Sequence, residues 1–203
     1  MLDNFINHFH ITNSEENVLG NDINTDHSEI LRPLIQIYGG KTLNNGLYRI
    51  HTFKSSLFWS SVIAEYFTKY TNKIHPFGFD WMGRQFCINA ENQKKLLMFD
   101  PATGENFVLE QDLLALHDDD FVKETDDMLG IDLFNRLLEY YDLNEISYEE
   151  CLGYKVPLFL NGKDSIENYE KWNLEVYWHF QHTLYEETKR YPNGTIIKSV
   201  NVK

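Results

Sequence analysis

The stretch His75 to Phe99, HPFGFDWMGRQFCINAENQKKLLMF, decides how the chain is read. Phe77, Phe79 and Trp81, then Phe86 and Ile88, alternate with other residues, which places large side chains on one face of an extended chain, the period of a half-buried strand. Gly78 and Gly83 punctuate the apolar run where a turn, a bulge or a close backbone approach is expected. Asn89 to Lys94 is polar enough to reverse the chain before Leu96-Leu97-Met98-Phe99. The stretch predicts two or three antiparallel strands whose apolar face flanking helices would cover. It carries no nucleophile, no phosphate loop and no evident ligand set, so it speaks of architecture before function.

Downstream, DPATGE from Asp100 reads as a tight turn, Phe107 to Leu109 as a further strand, and CLGYKVPLFL from Cys151 to Leu160 as another, with Pro157 marking an edge or a bulge. Helical spacing appears at residues 30 to 38, where Ile30, Leu31, Leu34, Ile35 and Tyr38 share a face, Ser28 or Glu29 lies near the N-cap and Gly39-Gly40 stops the helix. It appears again at 53 to 70, capped by Thr52, with Leu57, Phe58, Val62, Ile63, Tyr66 and Phe67 inward. Short acidic helices are predicted at Asp112 to Leu116 and Asp120 to Leu129. A helix capped by Asp132 follows at 131 to 141, with Phe134, Leu137, Leu138 and Tyr141 inward. The last helix, 174 to 189, is capped by Asn173 and packs through Leu174, Tyr177, Trp178, Gln181 and Tyr185. Phe5, Ile6 and Phe9 form a short apolar segment, Thr12 to Ser28 reads as a loop, and the tail holds a β-prone run at Thr195 to Ile197. The fold class is therefore α+β: an antiparallel or mixed sheet of about five strands centred on residues 75 to 109 and 154 to 160, covered by helices in one compact body.

At 203 residues, 15% of them aromatic, the chain can bury a sizeable core. The first residues, MLDNFINHFHITNSEEN, show no basic start and no signal-length apolar run. No stretch approaches the roughly 20 apolar residues of a membrane helix, and the expected location is cytoplasmic. The cysteines are Cys87 and Cys151 alone, which favours free, packed thiols over a disulfide. The net charge of −13 is concentrated: Asp100 to Glu150 holds sixteen acidic residues against Lys123 and Arg136. Such a segment repels nucleic acid and anionic membrane and attracts a basic partner, although acidic surface also simply aids solubility.

Enzymatic readings find little support. His117 with Asp118, Asp119 and Asp120, or His179 with His182 at i, i+3, offers metal-ligand chemistry, yet no HExxH, DxDxDG or paired CxxC is present, and no metal or cofactor is expected. Neither Cys87 nor Cys151 sits in a nucleophile elbow, and no glycines fall into a phosphate-loop spacing. Trp81, Trp178 and Tyr177 lie on faces already counted as apolar, so core is preferred over an interface role; Arg84 reads as a paired, half-buried residue.

Two blocks carry a family resemblance. GYKVPLFLNGKDSIENYE followed by LEVYWHFQHTL, Gly153 to Leu184, resembles the C-terminal domain of the Tdi-type immunity proteins of type VI secretion. YGGKTLNNGLYRIH and PFGFDWMGRQF resemble the GAD-like domain that precedes it, with a looser likeness to the SMI/KNR-type immunity superfamily. The implied division is a GAD-like part at 1–110, a Tdi-type part at 111–190 and a tail at 191–203. The resemblance implies a non-catalytic cytoplasmic protein that binds and silences a cognate toxin, in described cases a DNase. It transfers no catalytic residues. With it, the acidic cluster Asp118, Asp119, Asp120, Glu124, Asp126 and Asp127 becomes the expected surface for a basic toxin. The alternative is a regulatory or scaffolding domain with an endogenous protein partner; the oligomeric state is left open.

Overall fold

The computed structural model describes residues 2–17, 31–192 and 194–195. In chain order the elements are α1 (Asp3–His8), β1 (Ile11–Ser14), α2 (Leu31–Tyr38), β2 (Lys41–Leu43), β3 (Tyr48–Ile50), α3 (Phe53–Tyr66), β4 (Ile74–Asp80), β5 (Gln85–Asn89), β6 (Leu96–Asp100), β7 (Glu105–Leu109), α4 (Leu113–Ala115), a π-helical turn (Leu116–Asp120), α5 (Phe121–Lys123), α6 (Thr125–Leu129), α7 (Ile131–Tyr140), β8 (Glu150–Tyr154), β9 (Tyr169–Asn173) and α8 (Leu174–Thr188). The expected cap at Ser28 or Glu29 and most of the Thr195 to Ile197 run lie outside the described residues.

The stretch from His75 to Phe99 supplies three consecutive antiparallel strands, and both of their faces are buried. Phe77 and Phe79 do not share a face as strict alternation predicts. The register shifts between Pro76 and Gly78, so the bulge puts Phe77 in one apolar cluster with Phe86, Ile88 and Leu96, and Phe79 in the other with Cys87, Leu97 and Phe99. Gly78 is required there: a Cβ would stand 2.0 Å from Tyr48 Oη.

These strands sit inside a seven-stranded antiparallel meander, β1 through β7 in sequence order, rather than a sheet of about five. The extra strands β1, β2 and β3 are three or four residues long, too short to show a period. The expected strand over 154 to 160 is also corrected. Its first part, β8, pairs only with β9 in a separate two-stranded sheet. Beyond Tyr154 the chain turns instead, because Pro157 cannot donate to a ladder, and Asn168 satisfies the backbone of Val156 through both side-chain atoms.

One face of the meander is covered by α1, α2 and the helices from Leu113 to Tyr140, the other by α3 and α8. Both clusters draw on residues before and after position 110, so the described parts form one body. α3 starts as expected, with a capping box between Thr52 and Ser55. Its buried stripe differs: Phe53, Ser56, Trp59, Val62 and Ile63 face inward, while Leu57 and Phe58 are exposed. Ser56 decides this, since its hydroxyl donates to Pro76 O at 2.6 Å and brings α3 down on β4. Trp81 and Trp178 are core, their indoles donating to Leu129 O and Gly83 O. Both cysteines are free and buried. Among the described residues no helix is long and apolar enough to cross a membrane.

Arg49 on β3 is a charge with no exposed surface, as is Asp80 at the end of β4. The Arg49 guanidinium donates to Ser147 O at 2.9 Å, to Glu150 O and to Asp80 O at 2.6 Å, and lies 4.5 Å from the Phe79 ring centroid. Burial lowers its pKa to about 10, so it stays charged at neutral pH. Replacing Arg49 by Met removes a donor from all three carbonyls, leaving Ser147 O with the Glu150 amide and Asp80 O with the Gly83 amide, and should lower unfolding free energy by roughly 2 kcal/mol in urea titration. Arg49→Lys should recover less than half, because one ammonium cannot span the same acceptors. A loss below about 1 kcal/mol in the Met variant would show that these bonds do not hold the fold.

Candidate functional site

The acidic segment folds as a widened helical run from Leu113 to Lys123 followed by the short α6, without the gap expected between Leu116 and Asp120. Asp112 caps it, its Oδ1 accepting from the amides of Leu114 and Ala115. From Leu116 the hydrogen bonding lengthens by one residue, the Phe121 amide donating to Leu116 O. The reason is spacing: Leu116 and Phe121 are both fully buried and stand five apart, which a π turn accommodates on one side. The break expected between Leu116 and Asp120 falls instead at Glu124, whose φ is −124°. Gly130, at φ 64°, ends α6 and leads into α7, so Asp132 lies inside that helix and does not cap it.

His117, inside the π turn, faces the core. Its ring packs between Phe5, Tyr48, Phe77 and Phe121. Nδ1 donates to Leu113 O at 2.8 Å, which leaves Nε2 to accept from the Tyr48 hydroxyl at 3.2 Å. Burial lowers its pKa to about 4, so the ring is neutral with both nitrogens engaged. His179 and His182 belong to the other cluster, where the Tyr66 hydroxyl meets His179 Nδ1 and the Tyr66 ring stacks on His182 at 3.9 Å. Among the described residues no group of three or more His, Cys, Asp or Glu side chains gathers as a metal site.

The six expected carboxylates have unequal duties. Asp118 accepts from the Phe5 amide at 3.0 Å and so receives the first turn of α1. Asp119 pairs with Lys123 one turn on, and Asp126 accepts from the Asp132 amide at 2.8 Å. Asp120 is half-buried, Glu124 and Asp127 are exposed, and no hydrogen bond or ion pair engages these three side chains within the described residues. The N-terminal segment adds to the site in a way that sequence spacing could not indicate. Phe5 packs on His117, and His8 Nε2 lies 3.1 Å from the Thr125 hydroxyl, 117 positions away. Asp3 and Asp118 add to burial in pushing the Tyr38 phenol up, which places α1, α2 and the π turn in one acidic neighbourhood.

Residues 110–185 match the sequence profile of the family described as T6SS immunity protein Tdi1, C-terminal. The matched segment holds the whole acidic run, α7, the β8–β9 hairpin and most of α8. Among solved structures, the crystal structure of Atu4351 from Agrobacterium tumefaciens is similar, with a TM-score of 0.64, 16% identity, and coverage of 90% of this chain and 88% of that one. At that identity the likeness is one of fold. A comparison with curated proteins finds no match.

The buried imidazoles predict a pH dependence. The folded pKa of His117, about 4, lies below the ordinary 6.5, so between these values the unfolded chain binds the extra proton. Stability is therefore full above pH 6.5 and falls as the pH drops toward 4, by on the order of 3 kcal/mol from His117 alone. His51, lowered by burial to about 3, acts in the same direction. Denaturant titrations across this window should show a shallower acid loss in His117→Gln than in the wild type. Parallel curves would place the acid sensitivity elsewhere.

Proposed function

We propose that the chain is an immunity protein that binds and neutralises a cognate secreted toxin by steric and electrostatic occlusion, without chemistry of its own. The match of residues 110–185 to the Tdi1 C-terminal family carries this reading. A GAD-like part at 1–110 preceding the matched part belongs to the same proposal, as do a cytoplasmic site of action and a nuclease as the toxin.

The acidic run is the proposed docking surface, and it lies wholly within the matched segment. A nuclease offers a basic groove to its substrate, and clustered carboxylates speed encounter with such a groove and disfavour wrong partners. Asp120, Glu124 and Asp127 are the residues assigned to the toxin. Asp118, Asp119 and Asp126 are engaged within the chain, holding α1, Lys123 and the start of α7.

The test is co-expression with toxin genes encoded nearby, followed by co-purification. Rescue with a stable complex is expected. Failure to rescue any neighbouring toxin, together with capture of an endogenous regulatory protein, would replace this reading by the scaffold one. With a partner in hand, the triple variant Asp120→Lys, Glu124→Lys, Asp127→Lys should slow association roughly tenfold or more at low ionic strength, and the difference should shrink in high salt. An unchanged on-rate at low salt would move the interface off this face.

A further inference from the structure

A concave feature lies on the opposite face of the sheet from the acidic run. It forms where Tyr66 at the end of α3, Asp100 and Gly104 at the β6–β7 turn, and Trp178, Gln181 and Tyr185 on α8 come together. The pocket is open to solvent on one side and holds about 30 Å³. Its walls are aromatic: the Tyr66 ring lies nearly parallel to Trp178 at 5.9 Å, and Tyr185 closes on Gly104. That glycine has φ +70°, and a Cβ on it would stand 3.0 Å from the Tyr185 ring.

Among the polar groups of the lining, Asp100 and Gln181 supply acceptors. Asp100 accepts the Ala102 amide at 2.8 Å, and burial holds its carboxyl above the usual range despite that bond, the Thr103 hydroxyl and the Arg84 charge. Gln181 is fully buried. Its Nε2 donates to Tyr154 O at 3.3 Å, which leaves Oε1 buried with no hydrogen-bond partner. No Lys or Arg lines the pocket, and His182, the base in its wall, is kept toward neutrality chiefly by burial. Lys189 approaches the Tyr185 ring at 5.9 Å, but its ammonium pairs with Glu186. An unpartnered amide oxygen, a carboxyl and aromatic faces together lack a cationic donor.

We propose that this pocket receives the ammonium end of a lysine side chain from a basic protein partner, Asp100 and Gln181 Oε1 accepting its protons and the aromatic walls covering its methylenes. The proposal rests on the toxin-binding reading for the identity of the partner, but not for the existence of the site. Lysine is favoured over arginine by size and geometry. A compact ammonium suits the small volume, whereas a planar guanidinium forking onto both carboxylate oxygens would compete with the Ala102 amide at Oδ1. The three walls join residues before position 110 to α8, so a lysine seated here would contact both parts of the chain.

The test titrates the full-length protein with n-butylammonium and follows the Gln181 side-chain amide and the Trp178 indole by NMR. Saturable shifts of both, with a dissociation constant in the millimolar range expected of so small a ligand, support the site. Asp100→Asn should weaken binding at least tenfold with an unchanged thermal melt. Gln181→Leu, which removes both polar atoms at similar size, should do the same if the first variant folds poorly. Absence of saturable shifts, equal binding by both variants, or equal affinity for n-butylguanidinium would overturn the proposal. An Nα-acetyl-lysine methylamide arm should match or exceed putrescine; tighter putrescine binding would point to free polyamine and overturn the protein partner. Because the probes are small molecules, a pocket that binds them in a chain that rescues no toxin would sink the immunity reading alone.

Discussion

A guanidinium that no water reaches depends on protein acceptors, and Arg49 gives protons of its two terminal nitrogens to the carbonyls of Ser147, Glu150 and Asp80, while its Nε has no partner among the described residues. Two of these belong to the loop that enters β8, the third to the end of β4. The same loop is held a second time, where the Tyr148 hydroxyl donates to Ile50 O at 3.0 Å and accepts the Thr52 amide at the cap of α3. Residues 147–150 are thus bound to the β3–α3 junction by one buried cation and one nearly buried phenol. Everything after the loop, including the hairpin and α8, is placed by that attachment. A buried charge retained in this way fixes geometry more than it raises stability, because an apolar residue could fill the volume but could not select those carbonyls.

The second constraint is the bulge at Phe77 and Gly78. A strand with one wet face needs apolar residues at alternate positions only, whereas this sheet is covered on both sides. The shift at Pro76–Gly78 turns Phe79 toward α3 and α8 while Phe77 and Trp81 face the other layer. The apolar density of the stretch was visible in the residues, and so were the turns at Gly83 and at Asn89 to Lys94. The bulge was not, since Phe-Gly-Phe reads equally well as plain alternation. The helices at 31–38, 131–140 and 174–188 were legible because their apolar residues repeat at three and four. The inward face of α3 is not legible at Leu57 and Phe58, since it is led by Ser56, whose hydroxyl is invisible as a core contact until Pro76 is placed beside it.

For the candidate site, sequence located the charge but not its division of labour. HDDD reads as a row of metal ligands or as one exposed face. The π turn separates its members instead: His117 goes into the core as a neutral ring, Asp118 receives α1, and Asp119 takes Lys123. What was missing from the sequence was Phe5, whose amide and ring meet the turn from 113 and 112 positions away. Long-range partners of this kind leave no periodicity, and local propensity cannot supply them.

Occlusion requires a surface that is ordered before the partner arrives, since ordering on contact subtracts from affinity. The acidic run meets that requirement: Leu116, His117 and Phe121 root it in the core, and α1 lies against it. Yet half of its carboxylates are already engaged internally, and exposed charges act mainly on encounter and specificity, being screened within about 10 Å at ordinary salt. Tight binding of the proposed toxin would therefore need desolvated contacts besides the acidic face. The chain offers two kinds away from that face: the exposed Leu57 and Phe58 on α3, and the aromatic pocket with its unpaired amide oxygen. Both α3 and α8 cover the same side of the sheet. A partner that is drawn in by the carboxylates and held through that second layer would have to reach around an edge of the meander, at β1 or at β7.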